Sequence, residues 1–361
     1  MQALRFAGET LWALDQTLLP SSEIELPLRS AAEVAEAIRR LAIRGAPLIG
    51  VAAAYGIALE LARSSEADAL DRACDLLRAA RPTAINLSWA VARVRDAVRA
   101  GGPGRRSASA LAQAHAIHAG ERAASAAIAR HGADLLADAR RILTHCNTGA
   151  LAAPGWGTAL AIIAELAQRG RLEGVLATES RPLLQGARLT VYELSRLAIA
   201  HELIVDSAAA GLIAAGAVDA VIVGCDRVAA NGDVANKVGT YGLALAARAA
   251  GIPFIVAGPT STIDLHCQEG RLIEIEQRDP DEIRCVGGQL ITLAGVRCRN
   301  PAFDRTPAAF VTALVTERGV ARPPTVQTIS ALLSSTGACQ LEAPQHVACE
   351  AQGERLARPG R

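Results

Sequence analysis

Residues 220–242 read AVIVGCDRVAANGDVANKVGTYG. The segment opens with four apolar residues, three of them β-branched, and breaks at Gly224-Cys225-Asp226. That is the pattern of a short buried strand ending in a polar corner. A glycine- and asparagine-rich loop is expected to follow, holding Asn231, Asn236 and Lys237. Lys237 is the only lysine in the chain, and the rest of the 37 Lys and Arg residues are arginine.

The same texture recurs on both sides. RILTHC (141–146), GVLATES (174–180), ELIVDS (202–207) and PFIVAGP (253–259) are short apolar runs. Segments of helical pattern at 157–169, 188–199 and 240–250 separate them. Strands alternating with helices predict a parallel sheet covered on both faces. The runs end in Cys146-Asn147, Glu179-Ser180, Asp206-Ser207 and Cys225-Asp226. Ligands of open α/β sheets bind beyond the carboxyl ends of the strands, so the Cys146 thiol and three carboxylates are expected on the working face. No G-x-G-x-x-G follows the first strand and no P-loop is present. The sheet is therefore Rossmann-like, without the signature of a nicotinamide cofactor.

Upstream the chain is helical. ALRFAG and TLWALD predict two short strands flanking a turn, and SAAEVAEAIRRLAIRG (30–45) predicts a helix opened by a Ser30/Glu33 capping box. Further helices are expected at about 48–62, 66–80, 86–100 and 108–138, interrupted by GGPG at 101–104. The expected layout is an α/β protein. A helical N-terminal region with a small antiparallel sheet spans 1–135, a Rossmann-like region spans 136–322, and a tail without periodicity spans 323–361.

Composition narrows the function classes. Of the 361 residues, 51% are apolar but only 3% aromatic, so Ala, Leu, Val and Ile must build the core. A net charge of +1 without a basic block argues against a nucleic-acid surface. The apolar stretch between Arg44 and Glu60 is expected to be too short to span a bilayer, and it contains Pro47. Arg5, Glu9 and Asp15 leave no apolar leader, and none of the eight cysteines forms a C-x-x-C pair. Reduced thiols, no metal and a cytoplasmic location are the expectation.

Several residues can carry chemistry. Cys146 is placed at a strand end before an expected helix start, where the helix dipole favours a thiolate. It is equally readable as a small buried residue. His145 points to the opposite face of a regular strand. Asp226, at the mouth of an apolar sheet, suits a general acid with a raised pKa, or a helix N-cap. Asp206 shares that ambiguity. IRGAP (43–47) sets Arg44 beside the backbone of Gly45 and Ala46. RPT (81–83) sets Arg81 before a helix, and both arginines suit a phosphate or a surface ion pair. Gln185 can bond sugar hydroxyls or cap a loop. Lys237, as a compact point charge, can reach a phosphate or hydroxyl where a guanidinium fork would need more room.

Taken together, the segments LDQTLLP, IRGAPLIGVAAAYG, RPTAINLSWA, ILTHCNTGALA, ESRPLLQGARLT, VDAVIVGCDRVAANGDVANKVGTYGLALAA, IPFIVAGPTSTID and NPAFDRTPAAFVTALVTERGV resemble the S-methyl-5-thioribose-1-phosphate isomerase family. The translation initiation factor 2B regulatory subunits are its relatives. The resemblance runs from residue 15 to about 320. It implies an aldose–ketose isomerase of methionine salvage that needs no cofactor, acts on a sugar phosphate and forms a homodimer. It further implies Cys146 and Asp226 as the catalytic pair, with substrate contacts on Arg44, Gly45, Ala46, Arg81, Gln185, Asn236 and Lys237. Cys225 stands where the family usually has alanine, and Ser180 where threonine is common. Isomerases of 5-deoxyribose 1-phosphate or ribose 1,5-bisphosphate and a non-catalytic binding module are the competing readings. The site motifs show no clustered arginines, which speaks against the bisphosphate.

Overall fold

The computed structural model describes residues 2–334. The chain starts with an antiparallel three-stranded sheet of β1 (Leu4–Ala7), β2 (Thr10–Leu14) and β3 (Glu25–Leu28). Helices α1 (Ala31–Arg39), α2 (Ala46–Arg63), α3 (Ala69–Ala80), α4 (Ile85–Gly101) and α5 (Arg106–Leu135) follow. The Ser30 hydroxyl accepts from the Glu33 amide at 3.2 Å, and the Glu33 carboxylate reaches back to the Arg29 amide at 2.6 Å. This is a capping box displaced by one residue. The first helix stops at Arg39 rather than running to Gly45, because Leu41 turns into the left-handed region at φ 64°.

Helix α2 is apolar all round, and it packs against α1, α3, α4 and α5. Its 18 residues make it long and apolar enough to cross a membrane, which corrects the expectation of shortness; here its windows of hydrophobicity face other helices. Gly45 precedes it at φ 100°, and a Cβ there would lie 2.5 Å from the backbone of Ala152. Only glycine permits that approach, so the start of α2 is held directly against the loop after the first sheet strand.

The second half alternates β4 (Arg141–Thr144), α6 (Ala159–Gln168), β5 (Gly174–Thr178), α7 (Val191–Arg196), β6 (His201–Ile204), α8 (Ala209–Ala214) and β7 (Ala220–Val223). Then come β8 (Arg227–Ala229), β9 (Val234–Lys237), α9 (Thr240–Ala250), β10 (Phe254–Ala257), β11 (Ile263–Asp264), α10 (Asp281–Arg284), β12 (Cys285–Val286) and β13 (Gln289–Leu290). The last elements are β14 (Phe303–Thr306), β15 (Ala313–Thr316), β16 (Gly319–Ala321) and α11 (Val326–Ser334).

Seven strands form one sheet in the order β16-β15-β10-β7-β4-β5-β6, parallel except for the β15–β16 pair. The chain winds outward from β4 through β5 to β6, then returns to β7 and winds the other way through β10 to β15. The topological switch point therefore lies between β4 and β7, where a ligand crevice opens in doubly wound sheets. Cys146 follows β4 and Asp226 follows β7.

Two expectations need correction. Residues 227–237 are not a loop: β8 and β9 form a hairpin in a second sheet ordered β11-β8-β9-β14, and Lys237 is the last residue of β9. The region after 322 is not structureless throughout, because α11 buries Ile329 and Leu332 against the sheet. The remainder of the expected tail, from residue 335, lies outside the described residues.

Candidate active site

A cleft of about 370 Å³ opens at the switch point, lined by residues of both halves of the chain. Cys146, Asp226, Arg44, Gly45, Ala46, Arg81, Gln185, Asn236 and Lys237 all line it. Nine positions scattered over nearly 200 residues of sequence thus meet on one surface.

Cys146 is 8% exposed and sits at φ 62°. No helix starts beside it, contrary to expectation: residues 147–158 run as turns, and α6 begins only at Ala159. What holds the thiol is a set of hydrogen bonds. The Cys146 amide donates to the Ser180 hydroxyl at 2.8 Å, and its carbonyl accepts from the Thr190 hydroxyl at 2.6 Å. Ser180 is itself in the left-handed region, at φ 63°, with its amide donating to Asp206 at 2.7 Å. Asp206 also accepts from the Arg181 amide at 2.7 Å, so this carboxylate fixes a loop instead of facing the cleft. A non-glycine residue at positive φ persists only where its surroundings over-determine it, and here both neighbours of the peptide do so.

His145 turns the other way, as the strand period requires. It is buried, with Nδ1 at 2.6 Å from the Thr178 hydroxyl and Nε2 at 2.9 Å from the Val238 carbonyl. Burial holds its imidazole below its ordinary pKa, so it stays neutral and ties the Cys146 strand to the residue after Lys237.

Asp226 is neither an N-cap nor ion-paired. It leads into β8, and its carboxylate accepts no hydrogen bond among the described residues. Burial pushes its pKa up, while the charges of Lys237, Arg81 and Arg44 pull it partly back. The outcome is an acid that keeps its proton to higher pH than an exposed aspartate. Cys225, one residue earlier, faces the core, with Sγ 3.4 Å from the Thr262 hydroxyl, and burial drives its thiol up to about 12.

Lys237 is 7% exposed. Its Nζ donates to the Ala302 carbonyl at 3.1 Å and lies 5.4 Å from the Phe303 ring centre. Burial lowers its pKa; Cys146 and Asp226 are close enough to favour the ammonium. Asn236 donates to the Thr240 hydroxyl at 2.9 Å, which fixes its amide. The Gln185 oxygen is buried without a hydrogen-bond partner, the state of an acceptor awaiting a donor.

The cleft also gathers cations, against the expectation that arginines would not cluster. Arg39, Arg40, Arg44, Arg81, Arg188 and Arg278 line it. Four are neutralised by carboxylates: Arg39 by Glu36, Arg40 by Asp15, Arg81 by Glu276, and Arg278 by Glu276 and Glu282. Arg44 and Arg188 have no carboxylate partner among the described residues. Arg44 donates to the side chain and carbonyl of Asn147, whose amide nitrogen in turn donates to Glu193 at 2.8 Å. Arg81 ends α3 rather than opening α4, and its Nε is buried without a partner. Pro47 has no N–H and the Leu48 amide donates to the Ala152 carbonyl at 3.1 Å, so Arg44, Lys237 and the Ala46 amide form the positive corner, enough for one phosphate.

Sequence reasoning passed over Arg188, Glu193, Glu276 and Gln16. Arg188 and Gln16 lie inside the motifs ESRPLLQGARLT and LDQTLLP, and only the three-dimensional contacts reveal what they hold.

The chain resembles known proteins in sequence and in fold. Residues 42–323 match the Initiation factor 2 subunit family. The chain is 51% identical over 329 residues to a methylthioribose-1-phosphate isomerase of Anaeromyxobacter sp. (strain K), covering 91% of this chain and 96% of that one. It is 49% identical over 330 residues to a 5-deoxyribose 1-phosphate isomerase of Moorella thermoacetica, covering 89% and 94%. The crystal structure of 5-methylthioribose 1-phosphate isomerase from Pyrococcus horikoshii OT3 superposes with a TM-score of 0.85 at 38% identity, covering 92% of this chain and 95% of that one.

Proposed function

From a chain that belongs to the Initiation factor 2 subunit family, we propose an aldose–ketose isomerase that converts S-methyl-5-thioribose 1-phosphate to S-methyl-5-thioribulose 1-phosphate. The observation that carries the reading is the pairing at the switch point. An unpartnered, partly desolvated Asp226 and a rigidly held Cys146 end the two strands that flank one phosphate-sized positive corner.

The reaction has a definite atom balance. Phosphate on O1 blocks the anomeric oxygen, so the bond between C1 and the ring oxygen must break first. The ring oxygen gains a proton, one hydrogen moves from C2 to C1, and the C2 hydroxyl loses its proton as C2 becomes a carbonyl. Asp226 is assigned to protonate the ring oxygen, because burial raises its pKa and lets it keep a proton to higher pH than an exposed aspartate would. The same carboxylate can recover a proton from the C2 hydroxyl, which closes the cycle without external acid. Cys146 is assigned to the C2-to-C1 transfer, as base or by stabilising the transition state. Lys237 and Arg44 hold the phosphate and the developing negative charge. Gln185, Asn236 and Arg81 orient the sugar, and Gly45 and Ala46 let α2 approach the phosphate.

A second reading rests on the Moorella relative: 5-deoxyribose 1-phosphate differs only in bearing hydrogen on C5 in place of the methylthio group, so that C5 is itself a methyl. Both C5 ends are apolar, and Leu41, Leu183 and Leu189 are among the apolar residues that line the cleft. We extend the proposal to a homodimeric, cytoplasmic enzyme of methionine salvage on the strength of the family, testable by sedimentation of purified protein. The decisive assay offers purified enzyme the methylthio sugar, the 5-deoxy sugar and ribose 1,5-bisphosphate. The highest kcat/KM is expected with the methylthio sugar. A strong preference for the bisphosphate overturns the assignment, and binding without turnover of any of them turns the protein into a binding module.

A further inference from the structure

A strap formed by residues 15–19 borders the cleft, and its fixation is unusually complete. Asp15 accepts from the Thr17 amide at 3.0 Å and pairs with Arg40 at 2.9 Å. The Gln16 amide donates to the Ala42 carbonyl at 3.1 Å. Arg188 gives its guanidinium to the strap: it donates to the carbonyls of Gln16 at 2.7 Å, Thr17 at 2.9 Å and Leu19 at 3.0 Å, and from the other side to Leu183 at 3.4 Å. A cation that meets only backbone oxygens acts here as a clamp on chain conformation.

Within this clamp Gln16 is 2% exposed and lines the cleft. Its side-chain nitrogen donates to the Leu151 carbonyl at 2.7 Å. A carbonyl can only accept, so the amide cannot turn over, and its oxygen must face away from Leu151. That oxygen is buried and has no hydrogen-bond partner. Buried acceptors are normally satisfied, and one held so firmly in place requires a donor. A phosphate dianion is excluded, since it would set oxygen against oxygen. A hydroxyl fits.

We propose that Gln16 is a substrate-binding residue whose side-chain oxygen accepts a hydrogen bond from the C3 hydroxyl of the ribose. The inference rests on the isomerase reading and deepens it. C1, C2 and the ring oxygen undergo the chemistry and need groups that exchange protons, whereas C3 keeps its hydroxyl throughout. A neutral, immobile amide suits that unchanging position, and the strap makes it a specificity element reaching the sugar from the N-terminal half of the chain.

The test is a two-by-two comparison of kcat/KM: wild type and Gln16→Leu, each on methylthioribose 1-phosphate and on its 3-deoxy counterpart. The wild type is expected to favour the parent sugar by about 10- to 100-fold, the range of a single buried hydrogen bond. Gln16→Leu should lose that factor on the parent sugar alone and treat the two sugars alike. Equal losses on both sugars would mean that Gln16 only shapes the strap, and unchanged kinetics on both would mean that water satisfies the oxygen. Either result overturns the proposal. A thermal melt reports folding, and Gln16→Asn, which withdraws the oxygen by one methylene, gives the same reading should the leucine variant not fold. A wild type inactive on the parent sugar overturns the isomerase reading and this inference with it, an outcome distinct from equal losses in an active enzyme.

Discussion

Strands β4 and β7 are neighbours at the centre of the sheet, and each is followed within two residues by a buried cysteine. The two thiols are prepared for opposite fates. After β4 the backbone leaves the extended region at Cys146, and the peptide is tied on both sides by Ser180 and Thr190, so the thiol borders the cleft. After β7 two residues outside the strand, Gly224 and Cys225, lead to Asp226. Cys225 borders the cleft as well, but its sulfur packs into the core beside Thr262, whereas its neighbour Asp226 is left in the cleft without a hydrogen-bond partner. Side-chain alternation thus separates Asp226 from Cys225, as it separates Cys146 from His145, and the register Thr144↔Ile222 keeps Cys146 in step with Asp226. The carboxylates repeat the lesson. Glu193 beside the Cys146 turn is buried and accepts from Asn147 and from the amides of Ala150 and Leu151, whereas Asp226 accepts nothing. One acid is part of the scaffold, and the other is left with its valence open.

The contrast breaks most visibly at the open pair. Cys146→Ser and Asp226→Asn should each fold and bind the sugar phosphate, yet lower kcat by about 10²–10⁴-fold, the usual weight of a positioned acid or base. Stopped assays beside a binding titration check this, and wild-type turnover in either variant removes that residue from the chemistry. Next comes Lys237→Arg. The ammonium donates to the Ala302 carbonyl and rests near the Phe303 ring, contacts set for a compact point charge, and a longer planar fork should displace the ligand, so kcat/KM should fall by about 2–4 kcal/mol in transition-state stabilisation while the charge is kept. Kinetics close to wild type would show that charge alone matters there.

A third buried acid sharpens the comparison from outside the cleft. Burial raises Glu121 to about 7, against its hydrogen bond from Ser261 and with help from Glu317. The folded state therefore holds a proton that the unfolded chain releases near pH 4.5, so this residue's contribution is full below that pH and is lost as pH rises through 7. Glu121→Gln should gain on the wild type by up to about 3 kcal/mol across that window. Melts at pH 5 and pH 7.5 give the test: a gap that does not widen with pH contradicts it. The smallest effect belongs to Cys225→Ala, expected to retain wild-type kcat and to cost about 1 kcal/mol in stability through the lost packing. A dead Cys225→Ala enzyme beside an active Cys146→Ser one would exchange the roles of the two thiols.

Much of this was legible in the residues. AVIV and FIVA announce buried strands because β-branched and apolar runs of that length fit little else, and Ser30 with Glu33 marks a helix start by spacing alone. The hairpin from Arg227 to Lys237 was not legible. ANGDVANK has the composition of a loop, and what makes its second half a strand is pairing with Phe303–Thr306, some 70 residues away. Composition also hid the turn at Cys146, where Asn-Thr-Gly looks like a helix entry but the chain is pulled into the left-handed region by Ser180 and Thr190. The cluster of arginines was invisible for a third reason. Arg39 and Arg40 come from the end of α1, Arg188 from the entry to α7 and Arg278 from the segment before α10, so no local window contains them together. Tertiary partners, absent from any window of sequence, decide all three cases.

The solitary Lys237 has one further consequence, for the bench. Every ε-amine this polypeptide possesses lies in the cleft. An amine-selective acylating reagent has just two amines to meet, that one and the α-amino group, and the lowered basicity of the first leaves more of it unprotonated and reactive. A protease that cuts only after lysine would sever the denatured chain at one bond, and acylation of Lys237 would abolish the cut. Whether the cleft was filled or empty during labelling is then recorded as an intact or divided chain, readable on a gel without any engineered probe.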